Sequence, residues 1–364
     1  MRVIISGGGT GGHIYPAIAI AQKLEQEISN TEIVYVGIKG GPEENIAKKY
    51  GYKFIDLPGM GIPRRINKKL FKALVKNLEG FRKAKKIIKE YKPDLVVGTG
   101  GYVCAPILYQ ASRAKIPCLV HESNSYPGIA SKFLSNKVDR VLISYKEAEK
   151  HFKHKDNIIV TGNPVRTNFK LTYSEKDLKK LGIKKDRPVV FSFGGSNGSY
   201  FMNEAVKDLS KIMDGSYYLL HQTGARYYDD FIKESKDNPY LKVFSYIDNI
   251  DLFYAVSDLV IASSGAMSLS EISSVGKASI LIPKSYTTEN HQQFNAQTYV
   301  DNGASEMILE KDLTGDILNQ KIREIVSDSN KLKHMGENAW KLSSNDAGDR
   351  ILGVIKELVN YEGK

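Results

Sequence analysis

Short β-branched and aliphatic runs alternate with helical stretches along most of the chain. Val3–Ser6, Glu32–Val36, Leu95–Gly98, Cys118–His121 and Arg140–Ile143 read as strands. A second series follows at Val189–Phe193, Tyr217–Gln222, Lys242–Phe244, Leu259–Ala262 and Ser279–Ile282. Helices are predicted in the gaps, for example over Ile14–Glu27 and Met267–Val275. Strands alternating with helices predict an α/β fold with parallel sheets.

The two series open alike. Ser6-Gly7-Gly8-Gly9-Thr10-Gly11-Gly12 and Ser192-Phe193-Gly194-Gly195-Ser196-Asn197-Gly198 share Ser-x-Gly-Gly-(Ser/Thr)-x-Gly after an apolar strand, offset by 186 residues. The repeat predicts two doubly wound domains in tandem. A turn-rich break at Thr161-Gly162-Asn163-Pro164 separates them. The expected domains are residues 1–162 and 163–345, with a terminal helical segment at 346–364 that could pack back on the first. The length of 364 residues suits this division, at roughly 150 residues per domain.

Composition removes several classes. With 41% hydrophobic and 26% charged residues the chain is neither disordered, collagen-like nor coiled-coil. Two cysteines, Cys104 and Cys118, cannot build a disulfide framework, so a reducing cytosol is expected. The N-terminus runs straight into a strand and a glycine loop, without a signal-peptide core. The longest uncharged stretch, Leu95 to Ser112, is broken by Gly98, Gly100, Gly101 and Pro106, so no membrane span is expected.

The net charge of +11 is concentrated. Between Arg64 and Lys92 stand twelve Lys or Arg residues against Glu79 and Glu90, and the rest of the chain is nearly neutral. Leu70, Phe71, Leu74, Val75, Leu78 and Phe81 recur there at helical spacing, with Lys68, Lys69, Lys72, Lys76, Arg82 and Lys83 among them. This pattern suits a helix face resting on anionic lipid. Lys68, Lys69, Leu70, Lys72, Leu74, Val75 and Lys76 are the expected membrane contacts, although part of the stripe must face the core. A nucleic-acid binder would spread its charge and interleave stacking aromatics, but Phe71, Phe81 and Tyr91 follow helix spacing instead. No nucleic-acid partner is expected.

Gly7, Gly9 and Gly12 formally satisfy G-x-G-x-x-G. A dinucleotide site also wants an acid at the end of the second strand, where Tyr35-Val36-Gly37-Ile38-Lys39 offers none. No G-x-x-x-x-G-K-(S/T) occurs, which removes P-loop NTPases. The loops still present backbone N–H groups at helix N-termini, suited to negative charge or substrate hydroxyls. Gly98-Thr99-Gly100-Gly101 is a third such loop. Gly194–Gly198 reads as a phosphate site, and Arg166 as a guanidinium that could clamp a diphosphate. Glu271, one to two turns into its helix, could accept from both hydroxyls of a ribose. Gln292 and Gln293 carry amides suited to sugar hydroxyls.

Seven blocks then make a resemblance specific: GGGTGGHIYP from Gly7, GTGGYVCAP from Gly98, HESN from His121, TGNPVR from Thr161, GGSNG from Gly194, SGAMSLSE from Ser264 and NHQQFNA from Asn290. In this order and over nearly the whole chain they resemble the MurG family, peptidoglycan N-acetylglucosaminyltransferases. The resemblance implies a GT-B fold, two Rossmann-like domains with an interdomain cleft. It also implies inverting transfer of N-acetylglucosamine from UDP-GlcNAc to the C4 hydroxyl of MurNAc in lipid I, giving lipid II at the cytoplasmic membrane face. Carried over by residue, Thr10, Gly11, Gly12 and Asn124 would touch the GlcNAc and diphosphate. Arg166 and Ser196 would hold phosphate, and Ile247 would meet uracil through its backbone. Ala266, Met267, Ser268, Leu269, Ser270 and Glu271 would line the sugar nucleotide, with Glu271 on the ribose and Gln293, together with Gln292, on the GlcNAc. The family more often has Gln at Ser123 and Asn197, and Arg at Ser263, which shifts phosphate binding toward Arg166.

Glycosyl transfer needs a base near the acceptor hydroxyl. His13 and Glu122 are the two candidates in the first-domain blocks. No Asp-x-Asp motif or Cys/His cluster is present, so neither a catalytic metal nor a tightly bound cofactor is expected. The rival readings are another GT-B enzyme, such as a diacylglycerol glycosyltransferase, or a UDP-GlcNAc 2-epimerase of similar fold.

Overall fold

Val3, Ile4 and Ile5 are fully buried because β1 (Arg2–Ser6) runs through the middle of a seven-stranded parallel sheet. Its partners are β2 (Glu32–Gly37), β3 (Lys53–Asp56), β4 (Leu95–Gly98), β5 (Cys118–Glu122), β6 (Arg140–Ile143) and β7 (Ile158–Val160), in the order β3-β2-β1-β4-β5-β6-β7. Alternate residues feed opposite faces of the sheet. Val3, Ile5 and Tyr35 pack with α1 (Gly11–Glu27) and α2 (Pro42–Lys49). Ile4, Val34 and Val96 pack with α3 (Lys68–Tyr91), α4 (Cys104–Arg113) and α5 (Ile129–Leu134).

The second sheet has six parallel strands: β8 (Val189–Phe193), β9 (Tyr218–Gln222), β10 (Leu241–Phe244), β11 (Leu259–Ala262), β12 (Ala278–Leu281) and β13 (Ser305–Met307), ordered β10-β9-β8-β11-β12-β13. Its helices are α6 (Glu175–Leu181), α7 (Tyr200–Ser210), α8 (Tyr228–Glu234), α9 (Ile250–Val256), α10 (Ala266–Ser274), α11 (His291–Asp301), α12 (Gly315–Val326) and α13 (Ser329–Lys341). The last helix, α14 (Ala347–Leu358), lies against α1, with Ile351, Leu352 and Ile355 in the core that holds Ile20 and Leu24. Burying each such side chain contributes about 2 kcal/mol, and Lys23 pairs with Asp349 at 2.7 Å.

This computed structural model describes residues 1–61, 68–164, 169–195, 197–235, 237–287 and 290–361, with side chains in α3 described from Phe71 onward. The chain divides into two compact units, Met1–Val165 with Ser344–Lys364, and Arg166–Ser343. Among the described residues no helix is long and apolar enough to cross a membrane.

The strands β3, β7 and β13 are absent from the pattern-based reading. All three are short edge strands that are only partly buried, so their sequences lack the apolar run of central strands. In both sheets strand order reverses beside the first strand of its series, between β1 and β4 and between β8 and β11. These switch points are where open α/β sheets bind ligands, outside the carboxyl ends of the strands.

A buried polar chain ties the second sheet to α7. Ser192 Oγ lies 2.6 Å from His221 Nδ1, and His221 Nε2 lies 3.0 Å from Asn203 Oδ1. Complete burial pushes the His221 imidazole down to about 3, so it is neutral in the fold and gains a proton below about 6.5 only when unfolded. Stability is therefore full above pH 6.5 and falls as pH drops from there toward 3. At pH 5 this linkage removes about 2 kcal/mol. Urea unfolding of this unit, followed through its single tryptophan Trp340, should be correspondingly easier at pH 5 than at pH 7. Equal stability at both values would reject a neutral buried His221.

Candidate functional site

Strand register brings the sequence motifs together within each unit. Ser6 pairs with Gly98, which sets the loop after β1 beside Thr99-Gly100-Gly101. The helix starts at Gly11, three residues before the pattern suggests, because the Thr10 carbonyl accepts from the N–H groups of His13 and Ile14. Thr10 is exposed, and Gly11, Gly12 and His13 are half-buried.

His13 is clamped by the neighbouring loop. Its Nδ1 lies 3.0 Å from the Thr99 carbonyl oxygen, and Thr99 Oγ1 donates to the His13 carbonyl at 2.6 Å. A carbonyl only accepts, so Nδ1 carries the proton and Nε2 is the basic nitrogen of the neutral ring. Gly100 permits this approach: with φ +101, its missing Cβ would stand 2.6 Å from His13 Nδ1.

Glu122 is placed differently. It is 1% exposed. Its Oε1 accepts from the Asn124 backbone N–H and Nδ2, both at 3.0 Å, and its Oε2 accepts from the Gly128 N–H at 3.0 Å. The carboxylate thus fixes half-buried Asn124 and the start of α5. Behind it, buried His121 lies 2.9 Å from the Gly162 carbonyl through Nε2, and burial lowers its imidazole.

A third acid, Glu43, escaped the sequence reading. It is buried beneath the first glycine loop, where Oε2 accepts from Gly9 N–H at 3.2 Å and Oε1 from Ile38 N–H at 3.0 Å. A Cβ on Gly8, Gly37 or Gly41 would come within 2.8 Å of its side chain. Gly41-Pro42-Glu43, a helix start with an acid in the first turn, was the available signal.

In the second unit Phe193 pairs with Ala262, which sets Gly194 and Gly195 beside the N-terminus of α10. Glu271 is half-buried in α10, and its Oε2 accepts from the buried Tyr254 hydroxyl at 3.1 Å. Met267, Ser268 and Ser270 are half-buried too, and Ala266 is buried at the start of the helix. The Ser270 hydroxyl bonds back to the Ala266 carbonyl. The Leu269 side chain, expected to line the nucleotide, is fully buried, its N–H donates to the Gly265 carbonyl and its carbonyl accepts from the Ser273 and Tyr299 hydroxyls, so it is a core residue of the helix.

Two further expectations are narrowed. The Ile247 N–H donates to Gln222 Oε1 at 3.1 Å, so this backbone can meet a base only through its carbonyl. Gln292 is 9% exposed, and its Oε1 accepts from the Lys284 N–H at 3.0 Å, so it braces the loop before α11. Gln293 is half-buried and accepts from Asn290 Nδ2 at 2.6 Å. Arg166 and Ser196 lie outside the described residues, as do the side chains of Lys68, Lys69 and Leu70. Tyr254, Gln222 and Lys284 were missed because their partners lie 17 to 90 residues away.

On α3, Phe71 is 73% exposed, Leu74 53%, Val75 43% and Leu78 53%, with exposed Lys72 and Lys76 among them. As far as Ala84 the core side of that helix uses small residues, before Ile87 and Ile88 enter the core. Ala73 and Ala84 are fully buried, a Cβ on Gly80 would meet the Pro58 carbonyl at 2.2 Å, and Asn77 holds both backbone groups of Met60. The rings of Phe81, Tyr109 and Phe133 continue across α3, α4 and α5, with centroids 5.4 and 6.1 Å apart.

Residues 3–143 match the N-terminal domain of glycosyltransferase family 28, and residues 189–351 match its C-terminal domain. The UDP-N-acetylglucosamine–N-acetylmuramyl-(pentapeptide) pyrophosphoryl-undecaprenol N-acetylglucosamine transferase of Finegoldia magna is 47% identical, with all of both chains covered. Its counterpart from Acetivibrio thermocellus is 43% identical over 99% of this chain and 98% of its own. The crystal structure of Acinetobacter baumannii MurG superposes with a TM-score of 0.78, at 24% identity, covering 98% of this chain and 99% of that one. The class is therefore a GT-B glycosyltransferase of family 28. Within it, the chain belongs to the family of UDP-N-acetylglucosamine–N-acetylmuramyl-(pentapeptide) pyrophosphoryl-undecaprenol N-acetylglucosamine transferases.

Proposed function

We propose that this chain transfers N-acetylglucosamine from UDP-GlcNAc to the C4 hydroxyl of MurNAc in lipid I, with inversion, giving lipid II for peptidoglycan. The observation that carries this reading is end-to-end identity of 47% with a transferase of that name. The second unit takes the donor: Glu271, steadied by Tyr254, accepts from the ribose hydroxyls. The Ile247 carbonyl accepts from the uracil, and Gln293 reaches the GlcNAc while Gln292 braces the loop behind it. Arg166, Ser196 and the loop amides hold the diphosphate.

Thr10, Gly11, Gly12 and Asn124 contact the substrates from the first unit. His13 Nε2 takes the proton of the acceptor hydroxyl as its oxygen bonds to the anomeric carbon. The anomeric C–O bond breaks, and its electron pair leaves on the β-phosphate of UDP. Donors fixed around the diphosphate stabilise that charge as it develops. Glu122, with both oxygens engaged, positions Asn124 and does not act as the base. The apolar and basic face of α3 rests on anionic lipid, which places the enzyme as a peripheral protein where lipid I is found.

Purified protein given labelled UDP-GlcNAc and a lipid I analogue should release one UDP per disaccharide formed, and none without acceptor. Conversion of UDP-GlcNAc to its 2-epimer without acceptor would overturn the reading in favour of an epimerase.

A further inference from the structure

The two glycine loops occupy equivalent places in their sheets but are latched by side chains of opposite charge. Glu43 accepts the Gly9 amide from beneath the first loop. In a trans peptide the N–H and C=O point in opposite directions, so the Gly8 carbonyl of that peptide turns away from Glu43. The second loop is held by Lys284, whose Nζ donates to the carbonyl oxygens of Gly194 at 2.7 Å and Gly198 at 2.8 Å. The same planarity turns the N–H groups of Gly195 and Ser199 away from the ammonium. The Gly8 carbonyl packs against Gly101, where a Cβ would stand 2.4 Å from it, whereas half-buried Gly195 has open space where its Cβ would be.

We infer that Lys284 is a positioning residue for the donor diphosphate: by holding the Gly194 and Gly198 carbonyls it aims the Gly195 amide at the phosphates, with its own positive charge behind it. This rests on reading the second unit as the UDP-GlcNAc site. Backbone amides backed by a cation favour an anion most where solvent is thin, and Lys284 is half-buried. Burial lowers its ammonium and the facing Glu310 carboxylate opposes that effect. Glu310 Oε2 also accepts from the Ser285 N–H and Oγ, which fixes the segment carrying the latch. Because Gln292 holds the Lys284 N–H, latch and sugar-facing helix are braced together. In the first loop the Glu43 charge would repel a diphosphate, so that loop suits hydroxyl groups.

Calorimetric titration of UDP and of uridine into wild type, Lys284→Met and Lys284→Arg separates the effects. Charged hydrogen bonds of this kind correspond to roughly 10- to 100-fold in affinity. Lys284→Met should weaken UDP by that factor and leave uridine within about twofold, while Lys284→Arg, which keeps charge and donors, should restore most of the UDP affinity. Should Met disturb folding, Lys284→Gln keeps a donor without the charge and is read against Arg in the same way. Unchanged UDP binding in the neutral variants, or equal weakening of UDP and uridine, overturns the inference. Wild-type protein that binds neither ligand overturns the donor-site reading itself.

Discussion

Replacing His13 by Ala should lower kcat by about 10²- to 10⁴-fold, the usual contribution of a positioned general base. UDP affinity should stay near wild type, because the uracil and ribose contacts assigned to Ile247 and Glu271 lie in the second unit. The acidic limb of the pH–rate profile should disappear. His13→Asn is the sharper variant, since its Nδ2 stands where Nδ1 does and can still donate to the Thr99 carbonyl but cannot take a proton. An Asn variant with wild-type turnover would show that the ring only props the loop. If both variants lose UDP affinity along with rate, the role of His13 is structural and the base lies elsewhere.

The other large effect concerns the exposed face of α3. Lys72→Glu and Lys76→Glu combined with Phe71→Ser and Leu74→Ser should weaken binding to phosphatidylglycerol vesicles by about 10³-fold. Each basic residue at an anionic surface is worth about 1 kcal/mol, so two reversals alone cost about 4 kcal/mol. All four side chains are exposed, so the thermal unfolding midpoint should hold and a short-chain acceptor should still turn over. Binding by wild type should also fall with salt, because the attraction is screened beyond about 10 Å at 0.1 M. Wild type that ignores anionic vesicles at low salt would return this face to an ordinary solvated helix.

The sequence alone determined what local pattern can encode. Central strands such as Val3–Ser6 and Leu259–Ala262 are buried on both faces, so their apolar runs stand out. The glycine loops, the helix carrying Glu271 and the basic helix were legible for the same reason: spacing within a few residues defines them. Tertiary structure decided what depends on distant partners. The apolar stripe of α3 turns outward over Phe71 to Leu78 because Ala73, Gly80 and Ala84 allow the other face to pack closely, a shape effect that hydrophobicity does not record. Glu122 becomes an anchor and Leu269 a core residue through neighbours the pattern could not place. The latches show this most plainly. Glu43 reaches a loop 34 residues away and Lys284 one up to 90 residues away. A hydrogen bond between remote residues leaves no periodic trace in either segment, so only the folded chain reveals which charge stands behind which loop.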